Sequence, residues 1–238
     1  MTVLVLWDID RTLIDAGGVD KQVWLDVCTS LTGRPAVQAV TTSGRTDPQI
    51  LLDILTATGI GNTRARELLP LALQHEAGLL AQRQPELRQR GHALPGAAQA
   101  LQALSAIPAV TQTVVTGNVR PNAELKLATY GLAHHIDFSI GSYGSDDADR
   151  ARLIRLAQQR ARATRHWAGT AADVVVIGDS PRDIQAAHAA GVRVIAVATG
   201  RTPPGQLRQS GPDHLLPDLA DTSAVLTAIL NGTTSQTE

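Results

Sequence analysis

An α/β fold built on a doubly wound parallel sheet is predicted for this chain by three features. Short apolar runs recur, each stops at a glycine, a carboxylate or another polar residue, and each is followed by apolar residues at helical spacing. This alternation implies parallel strands joined by right-handed crossovers, with helices on both faces of the sheet. At 238 residues the chain can bury a sizeable core, in one large or two modest domains.

The first run, Val3-Leu4-Val5-Leu6, is of the continuous apolar kind that is buried on both faces of a parallel sheet. From there to about Gln89 the pattern is helical. Residues 20–31 repeat apolar positions at helical spacing and stop at Gly33, a normal left-handed cap. Asp47 reads as an N-cap with Pro48 at the first helical position, and Ile50, Leu51, Ile54 and Leu55 form a stripe that ends before Gly59. Asn62 opens a third helical stretch that continues near Leu79-Leu80. With no strand candidate among them, residues 16–90 read as an inserted α-helical cap domain. Its links to the core fall near Ala16-Gly17-Gly18 and Arg90-Gly91, where glycines can absorb hinge rotation.

Residues 1–15 and 91–238 then make the α/β core. Strands are expected at 110–115, 136–140, 174–177 and 192–198, with a short edge at 214–216. Helices should start near Gly96, Pro121, Asp147, Pro181, Pro203 and Asp221.

Two acidic clusters stand where apolar strands run out. Asp8 and Asp10 follow the first strand, and side chains two residues apart in an extended segment point the same way. Asp179 and Asp183 follow the run Val174-Val175-Val176-Ile177-Gly178. Ligands of open α/β sheets bind beyond the carboxyl ends of the strands, so both pairs would face one volume. Four converging carboxylates repel unless a cation intervenes, and hard oxygen ligands favour Mg²⁺.

These residues resemble the haloacid dehalogenase superfamily of phosphohydrolases, and within it the phosphoglycolate phosphatase-like branch. The first motif, Asp-x-Asp-x-Thr, is matched by Asp8, Asp10 and Thr12; the second, a Ser or Thr closing a strand, by Thr116 with Gly117 and Asn118; the fourth by Gly178, Asp179 and Asp183. Each string alone is weak, but in order and each after an apolar run they are specific. The resemblance implies a Rossmann-like core with a cap after the first strand. It implies Asp8 as nucleophile forming an aspartyl-phosphate, Asp10 as acid and base, and Thr116 with the amides of Gly117 and Asn118 as phosphoryl ligands. Thr12 joins that substrate-binding set through the first motif. Mg²⁺ would be held by Asp8, the carbonyl of Asp10 and Asp179, with Asp183 binding through water or orienting its neighbours.

Two positions depart from the pattern. Arg11 stands where this branch usually has Gly. The third motif is normally a Lys, yet the chain's two lysines, Lys21 and Lys126, both lie outside the expected segment, residues 144–152. Arg150 is the leading candidate for that cation, with Arg152 behind it. In the cap, Gly44-Arg45-Thr46-Asp47 resembles a segment that faces the active site in related phosphatases, so Arg45 either binds a second anionic group or is a surface cation beside a capping acid.

A net charge of -1 offers no global field for nucleic acid or an anionic membrane. Arginines between 150 and 165 lack interleaved aromatics and read as a solvated helix face. His134-His135 reads as a solvent-facing loop pair. Cys28, the single cysteine, lies in an apolar pattern and reads as a buried structural thiol. The chain enters its first strand at once and has no run of membrane-spanning length, so a cytoplasmic monomer or homodimer is expected, with a disordered tail to Glu238 and no glycosylation at Asn231-Gly232-Thr233. The leading function is Mg²⁺-dependent hydrolysis of a small phosphorylated metabolite. A sugar-phosphate mutase and a non-catalytic phospholigand-binding protein are the alternatives.

Overall fold

The computed structural model describes residues 2–37 and 41–231; the tail to Glu238 and two residues of the Asn231 sequon lie outside them. Strand β1 (Val3–Trp7) lies inside the sheet, flanked by β4 (Val110–Val114) and β5 (Val174–Gly178), with β6 (Arg193–Val197) and β7 (His214–Leu216) beyond β5. The order in this five-stranded sheet is β4-β1-β5-β6-β7, and every pairing is parallel.

All of β1 is buried because its alternate side chains enter two different cores. Val3, Val5 and Trp7 pack with Leu101 and Leu104 of α5 (Ala97–Ser105), Leu127 of α6 (Arg120–Thr129) and Ile229 of α10 (Thr222–Leu230). Leu4 and Leu6 pack on the other face with Leu153 and Ile154 of α7 (Arg150–Arg165), Ile184 of α8 (Pro181–Ala190) and Leu207 of α9 (Pro204–Gln209). The sheet is therefore doubly wound.

The expected strand at 136–140 does not form. Asp137 accepts hydrogen bonds from both Ser139 N and Ser139 Oγ, a local turn that competes with the extended ladder. The segment touches β4 at its start, where Asp137 N donates to the Gln112 carbonyl, and again at Ser142, which forms an isolated bridge with Val115. Two helix starts also shift. α7 begins at Arg150 rather than near Asp147, because the Asp149 carboxylate accepts from Ala151 N at 2.8 Å. α2 (Asp47–Ala57) is capped by Thr46 rather than Asp47, through a reciprocal box with Gln49.

In the segment expected to form the cap, α1 (Val19–Thr32), α2, α3 (Asn62–Gln82) and α4 (Gln84–Arg90) gather around an apolar cluster that includes Val23, Cys28, Ile54, Leu55, Leu80 and Leu87. Gly33 ends α1 in the left-handed region at φ 65°. Cys28 is fully buried, and that burial pushes its thiol up to about 12. The third helical stretch, read from Asn62 to near Leu79-Leu80, corresponds to α3, and a separate α4 follows with Pro85 in its first turn. Where the chain leaves and re-enters the core, β2 (Ile14–Asp15) pairs antiparallel with β3 (His92–Ala93), two strands too short to show a period. Among the described residues, no helix is long and apolar enough to cross a membrane.

Candidate active site

Asp8 stands at the carboxyl end of β1, its amide donating to the Ile177 carbonyl of β5 at 2.9 Å. That register brings it beside Asp179, the first residue after β5. The chain then turns sharply, and Arg11 takes a left-handed φ of 68°. This explains why a glycine commonly occupies such a position: only it adopts that conformation without a Cβ penalty. The Arg11 side chain swings to Asp15 at 2.6 Å and lines the cavity between cap and core.

Each of the two motif carboxylates has its own cation. Arg150 Nη2 donates to Asp8 Oδ1 at 2.8 Å and pairs with Asp183 Oδ1 at 2.9 Å. Lys126 Nζ donates to both oxygens of Asp10 at 2.9 Å, to Asp20 at 2.7 Å and to Asn118 Oδ1 at 2.7 Å. Arg152, by contrast, is exposed and meets only Asp147 and Asp149. Placement at the first position of α7 is electrostatically poor for a cation, since a helix N-terminus favours anions. The three acids around the Arg150 guanidinium more than offset that and its burial, holding it charged above its ordinary range.

Thr116 follows β4 and is fully buried, its hydroxyl accepting from Asn118 N at 3.2 Å and Asn118 Nδ2 at 2.9 Å. A cap loop crosses directly over this turn. Asp47 N donates to the Gly117 carbonyl at 2.8 Å, and a Cβ at Gly117 would run into the Arg45 carbonyl oxygen. The Asp47 carboxylate returns the contact by accepting from Val119 N at 2.9 Å. Burial, partly opposed by Lys126, lifts Asp47 to about 6.

Oxygens of Asp8, Asp179 and Asp183 lie within 4.8 Å of one another. Asp183 is fixed by Ser180, whose amide and hydroxyl donate to Oδ2 at 3.1 Å and 2.6 Å, so it is no exposed first-turn acid. Burial raises Asp179 to about 8, with Asp183 and Asp8 adding repulsion. Burial likewise raises Asp8 to about 7 despite Arg150. One guanidinium thus faces three buried carboxylates, and no ion pair reaches Asp179 among the described residues. This uncompensated set of hard oxygens fits a small divalent cation such as Mg²⁺. The carboxylate of Asp10 is turned away from the set, toward Lys126.

Asp8, Asp10, Thr116, Gly117, Asn118, Arg45, Arg150 and Asp179 all line one cavity. Thr12 does not: it is fully buried, with its hydroxyl lacking a hydrogen-bond partner. Arg45 reaches the cavity but pairs with Asp53. The rings of His134 and His135 lie against each other, tilted by 45°, away from it, His135 Nδ1 lying 3.1 Å from Ser105 Oγ.

Sequence reasoning set Lys126 outside the expected third-motif segment; the structure places it at Asp10. A signal was available, since Asn122 and Lys126 are four apart and share one face of α6. That face meets the cap: Asn122 Nδ2 donates to Glu76 of α3 at 2.8 Å, and Glu76 accepts from Trp24 Nε1 of α1 at 2.8 Å. Burial and Asp47 hold Glu76 well above the ordinary carboxylate range.

Residues 5–188 match the family model described as haloacid dehalogenase-like hydrolase. Among solved structures, a hydrolase from Pseudomonas syringae is 20% identical with a TM-score of 0.68, covering 96% of this chain and 99% of that one. A predicted phosphoglycolate phosphatase from Haemophilus somnus is 19% identical with a TM-score of 0.68, covering 94% and 97%. A provisionally assigned β-phosphoglucomutase from Bacteroides vulgatus is 19% identical with a TM-score of 0.67, covering 98% and 90%. No curated protein matches the chain.

Proposed function

Because the chain belongs to the haloacid dehalogenase-like hydrolase family, we propose that it is a Mg²⁺-dependent phosphatase of small phosphorylated metabolites, working through an aspartyl-phosphate on Asp8. The observation that carries this reading is the division of labour between Asp8 and Asp10. One carboxylate is buried against Arg150 and the acid cluster; the other is 36% exposed, lines the cavity and is held by Lys126. Asp8 suits in-line attack on phosphorus: its oxygen forms the new bond to phosphorus as the bond to the leaving oxygen breaks. Asp10 gives that oxygen its proton, then takes a proton from the water that attacks the phosphoenzyme, releasing inorganic phosphate and restoring Asp8.

The Arg150 guanidinium orients Asp8, and Thr116 with the amides of Gly117 and Asn118 grips the phosphoryl oxygens. Asp8, Asp179 and the Asp10 carbonyl would hold Mg²⁺, with Asp183 orienting this set; the ion supplies charge neutralisation for the phosphoryl group. Lys21, Arg45 and Arg201 around the cavity favour an anionic substrate.

A panel of phosphate esters assayed for Mg²⁺-dependent phosphate release tests the reading. Free phosphate from at least one small ester, lost on chelation, is the expected result. Isomerised phosphate with no free phosphate would assign a mutase instead, and binding without turnover would leave a phospholigand-binding protein.

A further inference from the structure

Lys126 is 1% exposed, on a core helix whose neighbouring turn at Leu127 enters the apolar core. An ammonium in such a place is costly unless every donor is used. Here the donors are all used, and their acceptors come from three separate elements: Asp10 after β1, Asn118 after β4, and Asp20 in the first turn of α1 in the cap. Asn118 closes the ring, since its Nδ2 donates to Asp10 Oδ2 at 2.6 Å. The Asp10 carboxylate is therefore held on both oxygens by groups behind it, while 36% of its side chain stays open.

A helix-face cation serving only to dock the cap would need Asp20 alone. Its contact with both oxygens of Asp10 is beyond what docking requires. Nor is Lys126 a second cation for the nucleophile, because Arg150 occupies that place.

We propose that Lys126 is a positioning residue for Asp10, setting the plane of the acid/base carboxylate and linking it, through Asp20, to the seating of the cap. The inference rests on the phosphatase reading above. Lys126 makes no contact with Asp8 and meets the phosphoryl-binding turn only at the side-chain oxygen of Asn118, so it acts through its neighbours.

A double-mutant cycle separates positioning from cap docking, read as turnover of p-nitrophenyl phosphate with Mg²⁺. In the wild-type background, Lys126→Met should lower kcat by about tenfold to a hundredfold, a part of the usual contribution of proton transfer. In an Asp10→Asn background the same change should cost less than about twofold, because two residues acting as a unit are not additive. Should Lys126→Met leave Asp10 and Asp20 too crowded to fold, the paired variant Lys126→Met with Asp20→Asn removes one acid along with the cation, and the cycle is read with that pair. Asp20→Asn alone should cost less than Lys126→Met, since Lys126 keeps its contacts with Asp10 and Asn118. Equal losses in the two backgrounds would overturn the proposal and leave Lys126 as a structural tie. Wild-type protein that releases no phosphate from any ester would instead overturn the phosphatase reading, and this inference with it.

Discussion

The guanidinium of Arg150 touches Asp8 on one side and Asp183 on the other, at 2.8 Å and 2.9 Å. The acid that helps cap α8 therefore fixes the cation that faces Asp8, and the end of β5 reports directly on the end of β1. Four consequences can be measured.

Arg150→Ala should lower kcat by roughly two to three orders of magnitude, the usual cost of removing one donor aimed at a reacting centre. Arg152→Ala, whose contacts are exposed, should stay within about twofold. Arg150→Lys should recover part of the loss, supplying charge without the fork. Steady-state phosphate release ranks the three variants, and a sensitive Arg152 would place the third-motif cation elsewhere.

Asp8→Asn should abolish phosphate release and leave the fold intact. Its neighbours Asp179 and Asp183 are like-charged, so loss of this carboxylate relieves repulsion even as it deprives Arg150 of a partner. Acid quenching during turnover of a radiolabelled ester should trap label on the wild type and none on the variant. Circular dichroism and the melting midpoint check that the variant is folded.

Stability of the metal-free protein should fall as pH rises from about 4 to about 8. In the unfolded chain both Asp8 and Asp179 have lost their protons above the ordinary aspartate value. The folded protein keeps them until about 7 at Asp8 and about 8 at Asp179. Across that window the folded state binds more protons, so the slope of stability with pH is negative. Mg²⁺ opposes the same repulsion, and its stabilising effect should be larger at the upper end of the window than at the lower. Melting curves with and without Mg²⁺ at several pH values measure this; a Mg²⁺ effect that does not grow with pH would remove these carboxylates from the metal set.

Arg11→Gly should fold with unchanged or higher stability. Relief of the left-handed backbone is worth about 1–2 kcal/mol, against which stand the half-exposed pair with Asp15 and the greater freedom of an unfolded glycine. Denaturant titration compares the two proteins. A clear loss of stability would mean that the Arg11 side chain contributes more to the turn than its backbone costs.

The β1, β4, β5 and β6 strands were readable because each is a short apolar run with a polar stop, and helices α1 and α2 because their stripes end at glycines. The segment at 136–140 looked equally strand-like, but apolar content carries no record of the turn that Asp137 and Ser139 make. Asp8, Asp10, Asp179 and Asp183 were singled out by their places where apolar strands run out, and Thr116 by motif order; the structure brings Asp8, Asp10, Thr116 and Asp179 to one cavity and Asp183 beside Asp8 and Asp179. Asp20, Asp47, Glu76 and Lys126 were not, because their partners lie on elements that only tertiary packing brings together. Asp20 and Asp47 also open helices, where an acid already has an adequate local explanation.

The crossing of the cap loop over Gly117 bears on whether the cap can be exchanged between relatives as a cassette. Asp47 N donates to the Gly117 carbonyl across the boundary, and the Val119 amide has the Asp47 carboxylate as its acceptor. A chimera with a foreign cap lacking an acid at that point would leave a buried donor unsatisfied, at a cost of about 1–3 kcal/mol. Any side chain at 117 would meanwhile lift the incoming loop off the strand end. Substrate range in this scaffold is thus not free to be redesigned from the cap alone, because the graft boundary has to include the turn at Gly117, to which we assign the phosphoryl group.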